Sequence, residues 1–219
     1  MRLSVLKARV IWFMDIQELN PRGRSLFPEV IDALESKYDF QKVPKSPSDL
    51  SKEGGIELIQ GSFEVRPNEF IDVNFTVYND GVMADTRSST KDSEAFLEDL
   101  FGFVAKEKFG IEYSPSLIRR KACVSEILVH TEKSLHAVNP NMAKFASRLN
   151  EISGGKSPLF DISGIIFRTD QTVQFPPAPF QFERRVGVPF SESRYYSLAP
   201  FGTDEHRALL QEFEDLFLG

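Results

Sequence analysis

The chain has 219 residues, 41% of them hydrophobic and 26% charged, with a formal net charge of −6 and an isoelectric point near 5.2. That length suits one large domain or two small ones sharing a core, and the acidic balance argues against wholesale binding to nucleic acid or an anionic membrane, since both need a basic surface. A single cysteine, Cys123, excludes an intrachain disulfide and a multi-cysteine metal site, and fits a reducing cytoplasm.

The first residues (MRLSVLKARVIWFMD) are apolar, but Lys7 and Arg9 interrupt the run and Asp15 ends it, so it lacks the core of a signal peptide. No run is long enough to span a bilayer. A soluble, cytoplasmic protein with no membrane partner is expected. Val10 to Met14 (VIWFM) is aromatic and β-branched, which predicts a strand buried on both faces. Asn20-Pro21-Arg22-Gly23 is a turn. Phe27, Val30, Ile31, Leu34 and Tyr38 then recur at helical spacing, with Pro28 in the tolerated first turn. After a breaker-rich loop from Pro44 to Gly55, Ile56 to Val65 and Phe70 to Tyr78 read as antiparallel strands joined at Arg66-Pro67-Asn68. Ile71, Val73, Phe75 and Val77 alternate with polar neighbours and give the second strand one buried face. Asn79-Asp80-Gly81 is a hairpin turn into a strand at Val82 to Asp85. Thr90 caps a helix reaching Ala105, with Asp92 and Glu94 at the positive end of its dipole. Its stripe is Phe96, Leu97, Leu100, Phe101 and Val104.

Gly110 to Pro115 is a linker, and beyond it the pattern restarts. A strand lies within Ala122 to Thr131. Asn139 caps a helix with Pro140 at its first position and a stripe of Met142, Phe145, Ala146, Leu149 and Ile152. Strands follow near Leu159 to Arg168, Phe180 to Val186 and Arg194 to Leu198. The three-proline segment Thr172 to Pro179 reads as an extended connector. Thr203 caps the last helix, whose stripe is Leu209, Leu210, Phe213, Leu216 and Phe217.

A displacement of 113 residues carries Thr90 onto Thr203, Phe96 onto Leu209, Leu97 onto Leu210, Leu100 onto Phe213 and Val104 onto Phe217, and only the match of Phe101 with Glu214 breaks the series. A displacement of 115 carries Phe27, Val30, Ile31 and Leu34 onto Met142, Phe145, Ala146 and Leu149. The expected architecture is therefore α+β: a β-α-β-β-β-α unit, internally duplicated, with residues 1–110 and 116–219 as the two units of one continuous domain. Side by side they would form a curved, mainly antiparallel sheet with helices on one face. This order of elements resembles that of the TATA-binding protein, a duplicated unit forming a saddle. The likeness is one of layout, without a shared motif, and implies nothing about DNA binding.

No catalytic set stands out. Gly154-Gly155-Lys156-Ser157 has the look of a phosphate loop, but Asn150 stands where the first glycine belongs and the run follows a helix, so it reads as a helix cap and turn. His130, His136 and His206 lack metal-binding spacing, and His206, third in its helix, is expected to be solvated. Cys123 has no base beside it in sequence, although His130 could approach it in space. Glu35-Ser36-Lys37 falls on a helix, and the row Asp72, Asn74, Thr76 with Asp80 and Asp85 is the solvated face of a hairpin. No cofactor and no metal is expected.

Three basic clusters remain in this acidic chain: Arg22 with Arg24; Arg119, Arg120 and Lys121; and Arg184, Arg185 and Arg194 among Phe180, Phe182, Tyr195 and Tyr196. Arginine beside exposed aromatic rings serves both protein hot spots and stacked phosphorylated ligands. The expected function is a non-catalytic protein-binding subunit or adaptor, with a partner that is the same chain or a different one. Its candidate contact residues are Arg184, Arg185, Arg194, Tyr195, Tyr196, Arg119, Arg120 and Lys121. The alternative is a ligand- or nucleic-acid-binding protein using the open sheet face, disfavoured for nucleic acid by the net charge. An enzyme built from carboxylates on separate strands ranks third.

Overall fold

The structure, a computed structural model, describes residues 1–20, 27–45, 55–106, 109–154, 159–170 and 172–217. Among these, eight strands and four α-helices follow in the order β1 (Arg2–Phe13), α1 (Phe27–Tyr38), β2 (Ile56–Arg66), β3 (Glu69–Tyr78), β4 (Gly81–Thr86), α2 (Thr90–Lys106), β5 (Arg120–His130), α3 (Pro140–Ser153), β6 (Gly164–Phe167), β7 (Phe180–Arg184), β8 (Arg194–Ala199) and α4 (Thr203–Phe217). The fold is α+β. Its single open sheet has the order β2-β3-β4-β1-β5-β8-β7-β6, with antiparallel ladders at β1–β4, β2–β3, β3–β4, β5–β8, β6–β7 and β7–β8. From one edge the order reads β2-β3-β4-β1 and from the other β6-β7-β8-β5, so each half follows the same path. The chain divides into a unit of Lys7–Val124 and a unit of Met1–Leu6 with Ser125–Gly219. The long strands β1 and β5 contribute to both. Most of the expected turn at Asn20–Gly23 and of the loop after Pro44 lies outside the described residues.

In the N-terminal unit, β1 alternates inward and outward until Ala8, Val10 and Trp12 are fully buried. Ile31, Leu34 and Tyr38 of α1 and the whole expected stripe of α2 close over Leu58, Val73, Phe75, Val82 and Ala84 of the sheet. Phe96 is the hub. Its ring lies 5.0 Å from Tyr38, 5.6 Å from Phe63, 6.1 Å from Phe75 and 6.5 Å from Phe40, edge-on to each. The β2–β3 register shifts between Leu58 and Gly61, and Asn74 Oδ1 accepts the N–H of Gln60 freed there, at 2.8 Å. A Cβ at Gly61 would come within 2.5 Å of the Phe40 ring, so glycine is what admits that ring. Polar groups fix the start of α2: Ser93 Oγ donates to Ala8 O at 2.8 Å and shares a bond of 3.0 Å with Thr86 Oγ1.

The C-terminal unit has a smaller core, in which Leu210 and Phe213 of α4 pack with Ile127, Val129, Leu135, Ile162, Phe182 and Tyr195. His206 is fully buried, contrary to the solvated position expected from its place in the first turn. The residue 113 places earlier is Ser93, and both side chains tie a helix start to a paired pair of strands. Ser197 Oγ donates to Gln181 O at 2.7 Å, which leaves it to accept from His206 Nε2 at 2.9 Å. Nδ1 then accepts from Ser125 Oγ at 2.7 Å, since that hydroxyl's other acceptor, Phe201 O, is farther away at 3.2 Å. Burial holds this imidazole neutral, lowering its pKa to about 4. Glu214, the one break in the helix match, is buried where it meets the Met1 amine at 3.3 Å and the hydroxyl of Thr131. Burial raises its carboxyl, but these two partners outweigh it and hold the group below its ordinary value.

The expected stripe of α3 does not become a core face. Asn139 caps the helix through the N–H groups of Asn141 and Met142, and Gly154 closes it in the left-handed conformation at φ 63°. Yet α3 buries none of its residues. Ala143, Ala146, Leu149 and Asn150 are half-buried, while Met142, Phe145 and Ile152 face solvent. The helix is rotated so that Ala143, Ala146, Leu149 and Asn150 face inward, and three of the five residues of the predicted stripe point out.

Candidate functional site

The feature without a structural explanation is the apolar surface around α3. Met142, Phe145 and Ile152 are 53, 64 and 69% exposed. Just beyond the helix, Leu159 and Phe160 are also exposed. Asn150 ties that segment to α3 by donating to Phe160 O at 2.8 Å and accepting from the N–H groups of Leu159 and Phe160. The segment leads into β6, which ends the strand order and exposes Ile166 and Phe167. Scattered exposed apolar residues are ordinary on a soluble protein. Six on one helix, the segment after it and one face of an edge strand are not, Ile166 lying on the opposite face of β6 from Phe167. The charges of α3 are partly balanced within the helix, where Arg148 pairs with Glu151 at 2.7 Å.

The C-terminal arginine–aromatic segment is split by strand geometry, because neighbours in a strand point to opposite faces. Arg184 pairs with Asp161 at 2.8 Å and donates to Ile162 O and Phe190 O. With its side chain only 9% exposed, it acts as a clamp on those loops. Tyr195 is fully buried and stacks on Phe182 with centroids 4.7 Å apart, so it is a core residue and not an exposed ring. Arg185 and Arg194 lie on the opposite face and are exposed. Tyr196 is half-buried, its phenol raised above the ordinary value by burial first and by Glu126 and Glu183 next. The four side chains Arg184, Arg185, Tyr195 and Tyr196 therefore do not act as one surface.

Arg119, Arg120 and Lys121 belong to the N-terminal unit and have partners there. Arg119 pairs with Glu18 at 2.8 Å, Arg120 lies 4.0 Å above the Phe13 ring, and Lys121 pairs with Glu94 over the indole of Trp12. The Glu94 hydrogen bond raises the ammonium of Lys121 above its ordinary value. Arg22, Arg24 and Gly155–Ser157 lie outside the described residues. Cys123 and His130 stand seven residues apart on one strand, roughly 23 Å by strand rise, too far to cooperate. Among the described residues no three of His, Cys, Asp or Glu gather as metal ligands, and no helix is long and apolar enough to cross a membrane. Helical spacing alone gives Met142, Phe145 and Ile152 to a buried stripe, and so hides the α3 surface.

Comparison with known proteins finds no family model that matches the chain and no curated protein that matches it in sequence.

Proposed function

We propose that the chain is a non-catalytic protein-binding subunit or adaptor of a larger assembly, and that its partner lays an extended apolar segment along β6 against α3. The observation that carries this reading is a capped amphipathic helix that buries nothing and turns Met142, Phe145 and Ile152 to solvent. Burying such side chains on a partner is worth roughly 25 cal/mol per Å² removed from water. Methionine and phenylalanine are the residues enriched at interface cores. The place of β6 at the end of the strand order supplies the direction. A partner strand would pair with its outer backbone groups, and its successive side chains would meet Phe167 on the core side and Ile166 on the other. The composition and the lone Cys123 support a soluble protein of a reducing cytoplasm. The matching strand order of the two units supports descent from one duplicated unit, one copy of which kept an open face.

A photo-crosslinking residue placed at position 145 or 166 is expected to trap one discrete partner in extracts of the source cells, whereas the same group at exposed Phe70 traps none. The purified partner should then re-form the complex with the wild-type chain and fail to do so with Phe145→Glu/Ile152→Lys, whose melting temperature is unchanged. Absence of a specific adduct overturns the reading. So does an adduct of the chain only with itself, which would assign the face to a homo-oligomer.

A further inference from the structure

On the face of the C-terminal unit opposite its core, four side chains with cationic or protonatable heads form a row across neighbouring strands. The register creates it. His130 is paired with Arg194 in the β5–β8 ladder. One step beyond the Arg184–Tyr195 pair, Arg185 comes beside Arg194, its N–H donating to Arg194 O at 3.0 Å. Arg2, on β1 next to β5, borders the same groove of about 310 Å³ as His130, Arg185 and Arg194. Parity settles the face: Val129 and Tyr195 point into the core and Leu3 packs against it, so Arg2, His130 and Arg194 point away. An adjoining groove of about 370 Å³ shares Arg2 and His130 and adds Lys133.

Like charges set directly opposite one another destabilise a sheet, so the fold alone gives no reason for Arg185 beside Arg194. The nearby carboxylates do not cancel the row. Glu192 pairs with Arg194 at 3.0 Å, with both side chains about half exposed. Glu214 is engaged by the Met1 amine and Thr131, and Glu132 borders the adjoining groove. Arg2 and Arg185 have no ion pair among the described residues.

We propose that this row is an anion-binding site for a linear chain of phosphate groups. Neighbouring strands lie ~4.8 Å apart, so the cationic heads recur at short, regular intervals along one line. A phosphate chain brings negative charge and several acceptor oxygens at every repeat, and the guanidinium forks of Arg2, Arg185 and Arg194 match phosphate bidentately. A single carboxylate would neutralise one arginine and leave its neighbours opposed. The site lies apart from the apolar face of α3 and does not depend on it.

The test uses inorganic triphosphate and a single-stranded oligothymidylate, each titrated into the full chain at about 50 and 200 mM salt. Both are expected to bind, more weakly at the higher salt, and Arg185→Gln/Arg194→Gln should weaken both by about tenfold or more. Without ligand this variant should melt no lower than wild type. Triphosphate should raise the melting temperature of wild type and not of the variant, and Phe145→Glu/Ile152→Lys should bind triphosphate as wild type does. An oligonucleotide that binds far tighter than triphosphate, with a steeper salt dependence, assigns the phosphates to a nucleic-acid backbone. Equal affinities assign a free oligophosphate. The proposal is overturned if neither probe binds at the lower salt, if the double variant binds undiminished, or if polyglutamate binds as tightly as triphosphate.

Discussion

α1 and α3 hold the same place in the two units, and both follow an Asn-Pro pair, yet one is built into a core and the other lies open. Ile31 and Leu34 of α1 are buried, whereas Ala146 and Leu149, 115 residues further on, are half-buried, and Phe145, the counterpart of Val30, is exposed. The strands of the two units differ in length as well. β2 and β3 have 11 and 10 residues, against 4 and 5 in β6 and β7. A tight turn at Pro67-Asn68 lets the first hairpin run long. The connector from Arg168 to Pro179, with prolines at 176, 177 and 179, does not. β6 spans ~13 Å of strand against ~36 Å in β2. α2 and α4 repeat the lesson in milder form. Leu97 and Leu210 are both buried, as are Leu100 and Phe213, but Phe96 is fully buried where Leu209 is 38% exposed.

The largest effect should come from that last pair. Phe96→Ala removes the hub of a five-ring cluster and is expected to cost roughly 3–5 kcal/mol in denaturant unfolding. Leu209→Ala should cost about 1 kcal/mol or less. Comparable losses at the two positions would break the comparison.

The helix-start anchors give an effect of about 3 kcal/mol that depends on pH. His206 titrates near 4 in the folded chain and near its ordinary 6.5 when unfolded. Between these values the unfolded chain binds the extra proton, so stability falls as pH drops from 6.5 towards 4. The loss is complete below about 4 and totals roughly 3 kcal/mol. Ser93, the counterpart, does not titrate. Comparing unfolding free energies of wild type and His206→Asn across this window isolates the histidine from Glu214, and parallel pH profiles would remove the assignment.

The smallest effect sharpens the contrast between α1 and α3. Phe145→Ser is expected to move the melting temperature hardly at all, within about 0.5 kcal/mol. Val30→Ser, at the matching position of the packed helix, should cost roughly 1–2 kcal/mol. A Phe145→Ser loss as large as that of Val30→Ser would mean that the α3 face is covered within the chain itself.

Much of the fold was legible in the residues. Among the described residues, period and punctuation located the four helices and most strands to within a few residues, because Asn139-Pro140, Asn79-Asp80-Gly81 and Thr203 act on the backbone next to them; β1 begins eight residues before the expected Val10 and β6 five after the expected Leu159. The α+β class and the recurrence of β-α-β-β-β-α follow from the same local signals, as does the buried stripe of α2. Helical spacing, however, reports only that a helix has an apolar side. For α1 and α3 the spacing was alike, and only the packing within each unit decided which side was covered. The side chains of the C-terminal segment were separated by parity: the ladders sent Arg184 and Tyr195 into one face and Arg185 and Arg194 onto the other. Arg2 and His130, 128 residues apart in sequence, entered one groove with Arg185 and Arg194 only through strand order. Local sequence sets backbone conformation through short-range sterics and hydrogen bonds. Burial, and the company a charged group keeps, depend on segments distant in the chain, and these only the tertiary structure brings together.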